Sequence, residues 1–313
     1  MNSRTIRRPS WFLVPAAALL LGAALAGCSA STSNPSSTGG AAPQPGTQGA
    51  QGTSATAASL PTPDHVVVVI FENKEAKEVA DNTSAPYFNQ LAAKGATFSD
   101  WTAITHPSQP NYLALFSGST QGVAGDSCQT ANKLAGPDLG GELIAAGKTF
   151  TSYSESMPSD GFTGCTSGQY AMKHNAAADF ADVPATSNLT FVSFPQDFTK
   201  LPTVAFVDPN LCNDMHSCSV ATGDAWLKAR MSAYADWATV HNSLLVVMFD
   251  EDDFTGANVI PATIVGAGVK PGVYGAHVDH YSLLRTLEDM YHLPYAGASA
   301  KAADMQGMWT SGS

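Results

Sequence analysis

Hydrophobic residues fall along this chain in two kinds of run. His65–Phe71 and Ser243–Phe249 are unbroken stretches of Val, Leu, Ile, Met and Phe, as expected of strands covered on both faces in a parallel sheet. Shorter apolar runs predict further strands over residues 97–104, 150–153, 204–207 and 259–265. Between them, apolar residues spaced three and four apart predict helices over 86–95, 139–146, 221–240 and 280–291, with Trp226, Met231, Tyr234 and Trp237 as core-side anchors of the third. Strands and helices alternate, which predicts an α/β domain with a mainly parallel central sheet. Residues 155–200 lack a period and are rich in Ser, Asp, Pro and Gly; they read as a lid-like excursion carrying Tyr170, Lys173 and His174. The tail after Pro294 carries no readable pattern, and there are no internal repeats.

One polar stretch interrupts this alternation. In Thr105-His-Pro-Ser-Gln-Pro-Asn-Tyr112, prolines 107 and 110 bracket Ser108. Each fixes φ and removes a donor, so Ser108 is predicted in a rigid turn, with a helix starting near Pro110 and ending at Gly118. A hydroxyl just before a helix start faces free N–H groups, which suits an anion such as phosphate. Asn111 adds a side-chain donor. Taken alone, the stretch reads first as a proline-stiffened loop capping an ordinary helix.

Ligands of open α/β sheets bind beyond the carboxyl ends of strands. Glu72 and Asn73 follow the first long run, Asp250-Glu-Asp-Asp253 follows the second, and Asp214 and His216 follow the 204–207 strand. If the first two ends meet, like charges at about 4 Å repel by roughly 4 kcal/mol at an effective dielectric of 20. A divalent cation held by Glu72, Asn73, Asp250 and Glu251 would compensate, with Asp252 and Asp253 splayed outward. Oxygen ligands favour Mg, Ca or Mn over zinc. Ser108 beside such a cation becomes a nucleophile. The helix N-terminus and Asn111 would hold phosphate oxygens, and His216 and His280 would protonate the leaving alkoxide. Asp214 would orient His216 or join a second metal site. Lys173-His174 reads by default as a surface basic pair, and His277 and His292 as surface or turn residues.

Composition changes the picture in two places. The chain has 313 residues, formal net charge −11, 44% hydrophobic and 13% charged residues. That balance argues against a nucleic-acid partner, and any phosphate site needs local cations. The amino terminus reads as an export signal: Arg4, Arg7 and Arg8, then an apolar run over 11–25, then Leu25-Ala-Gly-Cys28. That ending resembles a lipoprotein box, so residues 1–27 are expected to be a signal peptide and Cys28 lipidated, holding an exported enzyme on the outer membrane face; a plain secretory signal is the alternative. Residues 28–62 are Ser, Thr, Gly, Ala, Pro and Gln, the composition of a flexible tether, and 63–313 are the domain. In an exported chain the remaining cysteines are expected as disulfides Cys128–Cys165 and Cys212–Cys218; a zinc site is the alternative, without the usual Cys-x-x-Cys knuckle.

Glu72-Asn73, Thr105 through Phe116, Asn213-Asp-Met-His216, Asp250 through Asp253 and His280-Tyr281, in this order, resemble the bacterial phosphoesterase family of acid phosphatases and C-type phospholipases, within the alkaline-phosphatase-like superfamily. The resemblance runs from about Asp64 to about Pro294. It implies an α/β/α sandwich and phosphomonoester hydrolysis through a phosphoserine on Ser108, with metal at Glu72, Asn73, Asp250 and Glu251. Asp214, His216 and His280 would fill the subsite that holds a second metal in other branches. Tyr170-Ala-Met-Lys-His-Asn175 resembles a Tyr-Ala-Arg-Lys-His-Asn run, which implies that Lys173 and His174 touch substrate. Ala176-Ala177 departs from an expected Pro-Trp pair, and Phe254 replaces a small residue. The expected activity is an extracytoplasmic acid phosphatase on a phosphate ester, a small molecule or a phosphoinositide head group, with histidines charged at acidic pH. A phospholipase cleaving a phosphodiester, or a non-catalytic lipoprotein that binds phosphate or metal, are the alternatives. Oligomeric state is not legible.

Overall fold

The computed structural model describes residues 60–128 and 133–310. The predicted signal peptide, Cys28 and nearly all of the tether lie outside the described residues.

Ten strands are present: β1 (His65–Phe71), β2 (Ala96–Thr102), β3 (Phe150–Ser154), β4 (Thr166–Ser167), β5 (Tyr170–Ala171), β6 (Asn188–Thr190), β7 (Val204–Asp208), β8 (Ser243–Phe249), β9 (Thr263–Gly266) and β10 (Gly272–Asp279). Eight form one sheet in the order β10-β2-β9-β8-β1-β7-β3-β6, and β4 and β5 form a small ribbon. β1 lies at the centre, parallel to β7 and to β8, with Val66 opposite Leu244 and Phe71 opposite Phe249. Its last six residues are buried, which accounts for the unbroken apolar run: both faces are covered, so no position is left for a polar side chain. β9 runs antiparallel to both neighbours, so the sheet is mixed but mainly parallel. Helices α2 (Pro86–Lys94) and α5 (Val220–Ala238) pack with β8 and β9, whereas α3 (Ser108–Ser117), α4 (Leu139–Ala145) and α6 (His280–Tyr291) pack together with β3 and β10. A short α1 (Ala76–Val79) follows β1.

The structure corrects the predicted elements at several points. β2 stops at Thr102, and α3 begins at Ser108 rather than near Pro110. Pro110 is tolerated there because first-turn N–H groups have no intrahelical acceptor. The 259–265 strand shrinks to β9. β10 was not legible: it pairs with β2 alone, and most of its residues are exposed. His277 sits on it, at the surface, 3.3 Å from Asp100. The 155–200 excursion contributes β6 to the sheet edge. The tail is core: Met305, Met308 and Trp309 are buried. It also locks the end of α3, where Gly118 has φ +65° and a Cβ would stand 1.9 Å from the Ala296 carbonyl oxygen, a position only glycine can fill. Both expected disulfides, Cys128–Cys165 and Cys212–Cys218, are formed.

Two buried carboxylates carry predictions. Ala85, ahead of α2, supplies no side-chain cap; Asp224 on α5 does so instead, accepting from Tyr87 N–H at 3.0 Å and Phe88 N–H at 2.7 Å. Replacing Asp224 by alanine strands both donors and is expected to cost about 2–3 kcal/mol, read from urea denaturation. Glu288 accepts from Ala296 N–H and from the Ser299 hydroxyl, and burial pushes its carboxyl up to about 7. A raised carboxyl favours folding while protonated, so its contribution is complete below the ordinary carboxylate range and is lost as pH rises through about 7. Glu288→Gln should therefore flatten the fall in stability between about pH 5 and 8, measured by denaturation at both ends.

Candidate active site

The carboxyl ends of β1 and β8 lie side by side, which puts Glu72 next to Asp250 and Glu251. All three side chains are buried. Asn73 takes a left-handed turn, φ 53°, a conformation asparagine tolerates. Its N–H donates to Asp250 Oδ1 at 3.1 Å and its amide to Glu251 Oε1 at 2.8 Å. The turn before α3 brings Ser108 to the same point: its Oγ lies 2.8 Å from Glu72 Oε2 and 3.3 Å from Glu251 Oε1. The Asp214 loop joins through Glu72 N–H, which donates to the Asp214 carbonyl at 2.8 Å. Glu72, Asn73, Ser108, Asp214, Asp250 and Glu251 are thus gathered at the sheet's carboxyl edge.

Their charges are poorly matched. Burial, then Asp250 and Asp214, holds the Glu72 carboxyl well above the usual range. Burial pushes Asp250 and Asp214 up to about 7, and burial with Asp250 pushes Glu251 up to about 8. Glu72 Oε1 accepts from the Tyr112 hydroxyl at 2.6 Å. Three oxygens of this group have no hydrogen-bond partner although buried: Asp250 Oδ2, Asn73 Oδ1 and Asp214 Oδ2. Among the described residues no group of three His, Cys, Asp or Glu side chains is already disposed to hold a metal ion. The four predicted ligands nevertheless converge, two with unused oxygens and two with oxygens turned on Ser108. Such a set of oxygen donors suits a hard dication.

Several expected roles do not match the surroundings. His174 is not a surface residue: it is buried, stacked on Tyr112, with Nε2 3.0 Å from Glu72 and Nδ1 3.2 Å from Asp214. Burial, then Lys173, holds it well below the ordinary histidine value, and burial takes His280 down to about 4. His280 Nε2 lies 2.7 Å from the Asp250 carbonyl, so it acts as a neutral brace. His216 is exposed, and it too is lowered, by burial, Lys173 and His174. All three rings are thus harder to charge than a free histidine. Asp214 Oδ1 accepts from the His216 backbone, not its ring, so it shapes the loop instead of orienting the imidazole. The Asn111 amide is used up inside the turn, accepting from the Ile104 and Thr105 N–H groups and donating to the Thr105 carbonyl; it braces Ser108 and has no free donor for phosphate. Asp252 does not splay outward: it is buried, accepting from the Phe254 and Asn258 N–H groups. Only Asp253 reaches solvent in part.

Other residues were not foreseen. His106, joined to Pro107 by a cis peptide, places Nδ1 2.6 Å from Glu251 and Nε2 3.3 Å from Asp252. Asp126 returns from the loop after α3 to accept from Gln109 N–H at 3.0 Å and from Lys173 Nζ at 2.7 Å. The polar tips of His106 and Tyr112 beside Ser108 were the available signal; Asp126 left none.

The phosphoesterase family matches residues 71–294. The chain is 48% identical to the phosphatidylinositol-3-phosphatase of Mycobacterium tuberculosis over 255 residues, 81% of this chain and 85% of that protein. It is 29% identical to an acid phosphatase of Aspergillus fumigatus over 73% of this chain, spanning only 55% of that longer protein. An alkaline phosphatase superfamily protein of Vibrio parahaemolyticus superposes with a TM-score of 0.53 at 13% identity, covering 78% of this chain and 71% of that one. Its fold is shared despite the low identity. With a buried serine hydroxyl set between carboxylates at the carboxyl edge of a mainly parallel sheet, the chain belongs to the phosphoesterase family, hydrolases of phosphoric esters.

Proposed function

We propose that this protein is an exported phosphomonoesterase with Ser108 as nucleophile, and that phosphatidylinositol 3-phosphate is among its substrates. One observation carries the mechanism: Ser108 Oγ, in the first turn of α3, stands within 3.3 Å of both Glu72 and Glu251. The substrate reading is supported by the 48% identical mycobacterial phosphatase, and export by the signal-like residues 1–28.

Glu72, Asn73, Asp250 and Glu251 are the residues that would hold a divalent cation. Such an ion supplies charge neutralisation and a lowered serine pKa. The chain's own residues do the rest. Glu72 Oε2 accepts the Ser108 hydroxyl proton and fixes the direction of its lone pair. Attack at phosphorus forms the Oγ–P bond and breaks the bond to the leaving alkoxide, which takes a proton from solvent at the exposed His216 edge. Water then hydrolyses the phosphoserine. Gln109 N–H, at the positive end of α3, and the Lys173 ammonium are the donors for the non-bridging oxygens.

Vesicles of phosphatidylcholine carrying phosphatidylinositol 3-phosphate test the reading. Release of inorganic phosphate supports it; diacylglycerol release would instead make the enzyme a phospholipase. Asp126 supplies a second test, since its carboxylate now occupies both phosphate donors. Asp126→Asn is expected to lower the inhibition constant of inorganic phosphate about three- to tenfold, a charge-assisted contact being worth roughly 1.5–3 kcal/mol less what the amide retains. A raised inhibition constant would mean that Asp126 serves to position Lys173.

A further inference from the structure

Phe254 is a large aromatic side chain left 61% exposed in the loop that also carries Asp250 and Glu251. Exposure alone says little. Its backbone is the unusual feature: φ is +66°, a left-handed conformation that a bulky residue rarely takes and that persists only where the surroundings impose it. The imposing groups are visible. Buried Asp252 sits at the centre of the loop, Oδ1 accepting from Phe254 N–H at 2.8 Å and Oδ2 from Asn258 N–H at 2.8 Å. One face of the Phe254 ring lies on His106, centroids 4.1 Å apart and planes 24° from parallel. His106 in turn meets Glu251 at 2.6 Å, and Glu251 meets Ser108 Oγ at 3.3 Å.

This ring is therefore held three contacts from the serine hydroxyl, through His106 and Glu251, with one face covered and the other open. A core residue would have both faces covered, and an incidental surface residue would not be locked in a strained backbone by a buried carboxylate. We propose that Phe254 is the wall of the leaving-group subsite and selects phosphomonoesters whose alcohol presents a flat or apolar ring face, an aryl group or the C–H face of a cyclitol, over small acyclic alcohols. The inference rests on the phosphomonoesterase reading above. Ring-on-ring contacts to a bound leaving group are worth enough to change a rate constant several-fold.

The test compares kcat/KM for phenyl phosphate with that for glycerol phosphate, in enzyme supplied with a divalent cation. The difference in leaving-group acidity is common to all variants and cancels when their ratios are compared. Phe254→Ala and Phe254→Gly are expected to lower the phenyl-to-glycerol ratio about three- to tenfold, and Phe254→Tyr to keep it within about twofold. Phe254→Gly relieves the left-handed backbone, so its Tm should not fall below that of the wild type, which separates loss of selection from loss of fold. An unchanged ratio in Phe254→Ala and Phe254→Gly, with both esters slowed alike or not at all, overturns the inference and leaves the phosphomonoesterase reading standing. No turnover of either ester by the wild type would remove that reading and the inference with it.

Discussion

Ser108→Ala is expected to lower kcat/KM on a phosphomonoester by at least about 10⁴-fold, because the proposed covalent route disappears with the hydroxyl. The fold should survive. Ser108 is buried, but it is uncharged and Glu72, to which its hydroxyl donates, keeps the Tyr112 hydroxyl as a donor, so the variant removes one hydrogen bond and no charge. A Tm within a few degrees of the wild type corresponds to about 1 kcal/mol in a domain of this size. Rapid acid quench should trap phosphate on the peptide containing Ser108 in the wild type and none in the variant. Activity above about one-hundredth of wild type would reassign the nucleophile.

Chelation should have the second-largest effect, on two readouts at once. Glu72, Asp250 and Glu251 are buried together, and Asp250 Oδ2 and Asn73 Oδ1 have no partner within the protein. An ion bound there at about a hundred times its Kd stabilises the folded state by about 2.7 kcal/mol. Dialysis against a chelator is then expected to lower Tm by roughly 5–10 °C and to abolish turnover, with Mg, Ca or Mn restoring both. Glu72→Gln with Asp250→Asn should lose the thermal response itself. A Tm indifferent to chelator and to added cations would show that the carboxyl groups hold protons instead.

Much of this arrangement was legible before any coordinates, and the exceptions share a cause. β1 and β8 announce themselves because a strand covered on both faces has no polar position. The rule that ligands lie beyond strand ends then makes Glu72, Asp250 and Asp214 candidates with no knowledge of the packing. β10 fails that logic: it lies at the sheet edge and alternates small, polar and exposed residues. The histidines fail for a different reason. Periodicity finds burial on helices and strands, but His174 lies in a short 3-10 turn within an aperiodic stretch, where nothing in the local sequence separates a buried ring from a solvated one. Asp126 reaches Gln109 only because its loop folds back across the start of α3, a tertiary event that pairs residues with no shared pattern. Asp252 and Asp253 are chemically alike and adjacent; only the loop that closes over the first, with Asn258 as its partner, separates their fates.

The placement of β1 has one more consequence. Residues 62–64 run into its first residue beside the start of β8, with the Thr62 carbonyl accepting from Asn242 and Asp64 N–H donating to the Asn242 carbonyl. Glu72 lies at the other end, seven residues along and about 23 Å away at strand rise. The described chain therefore enters the domain at the end of β1 opposite Glu72.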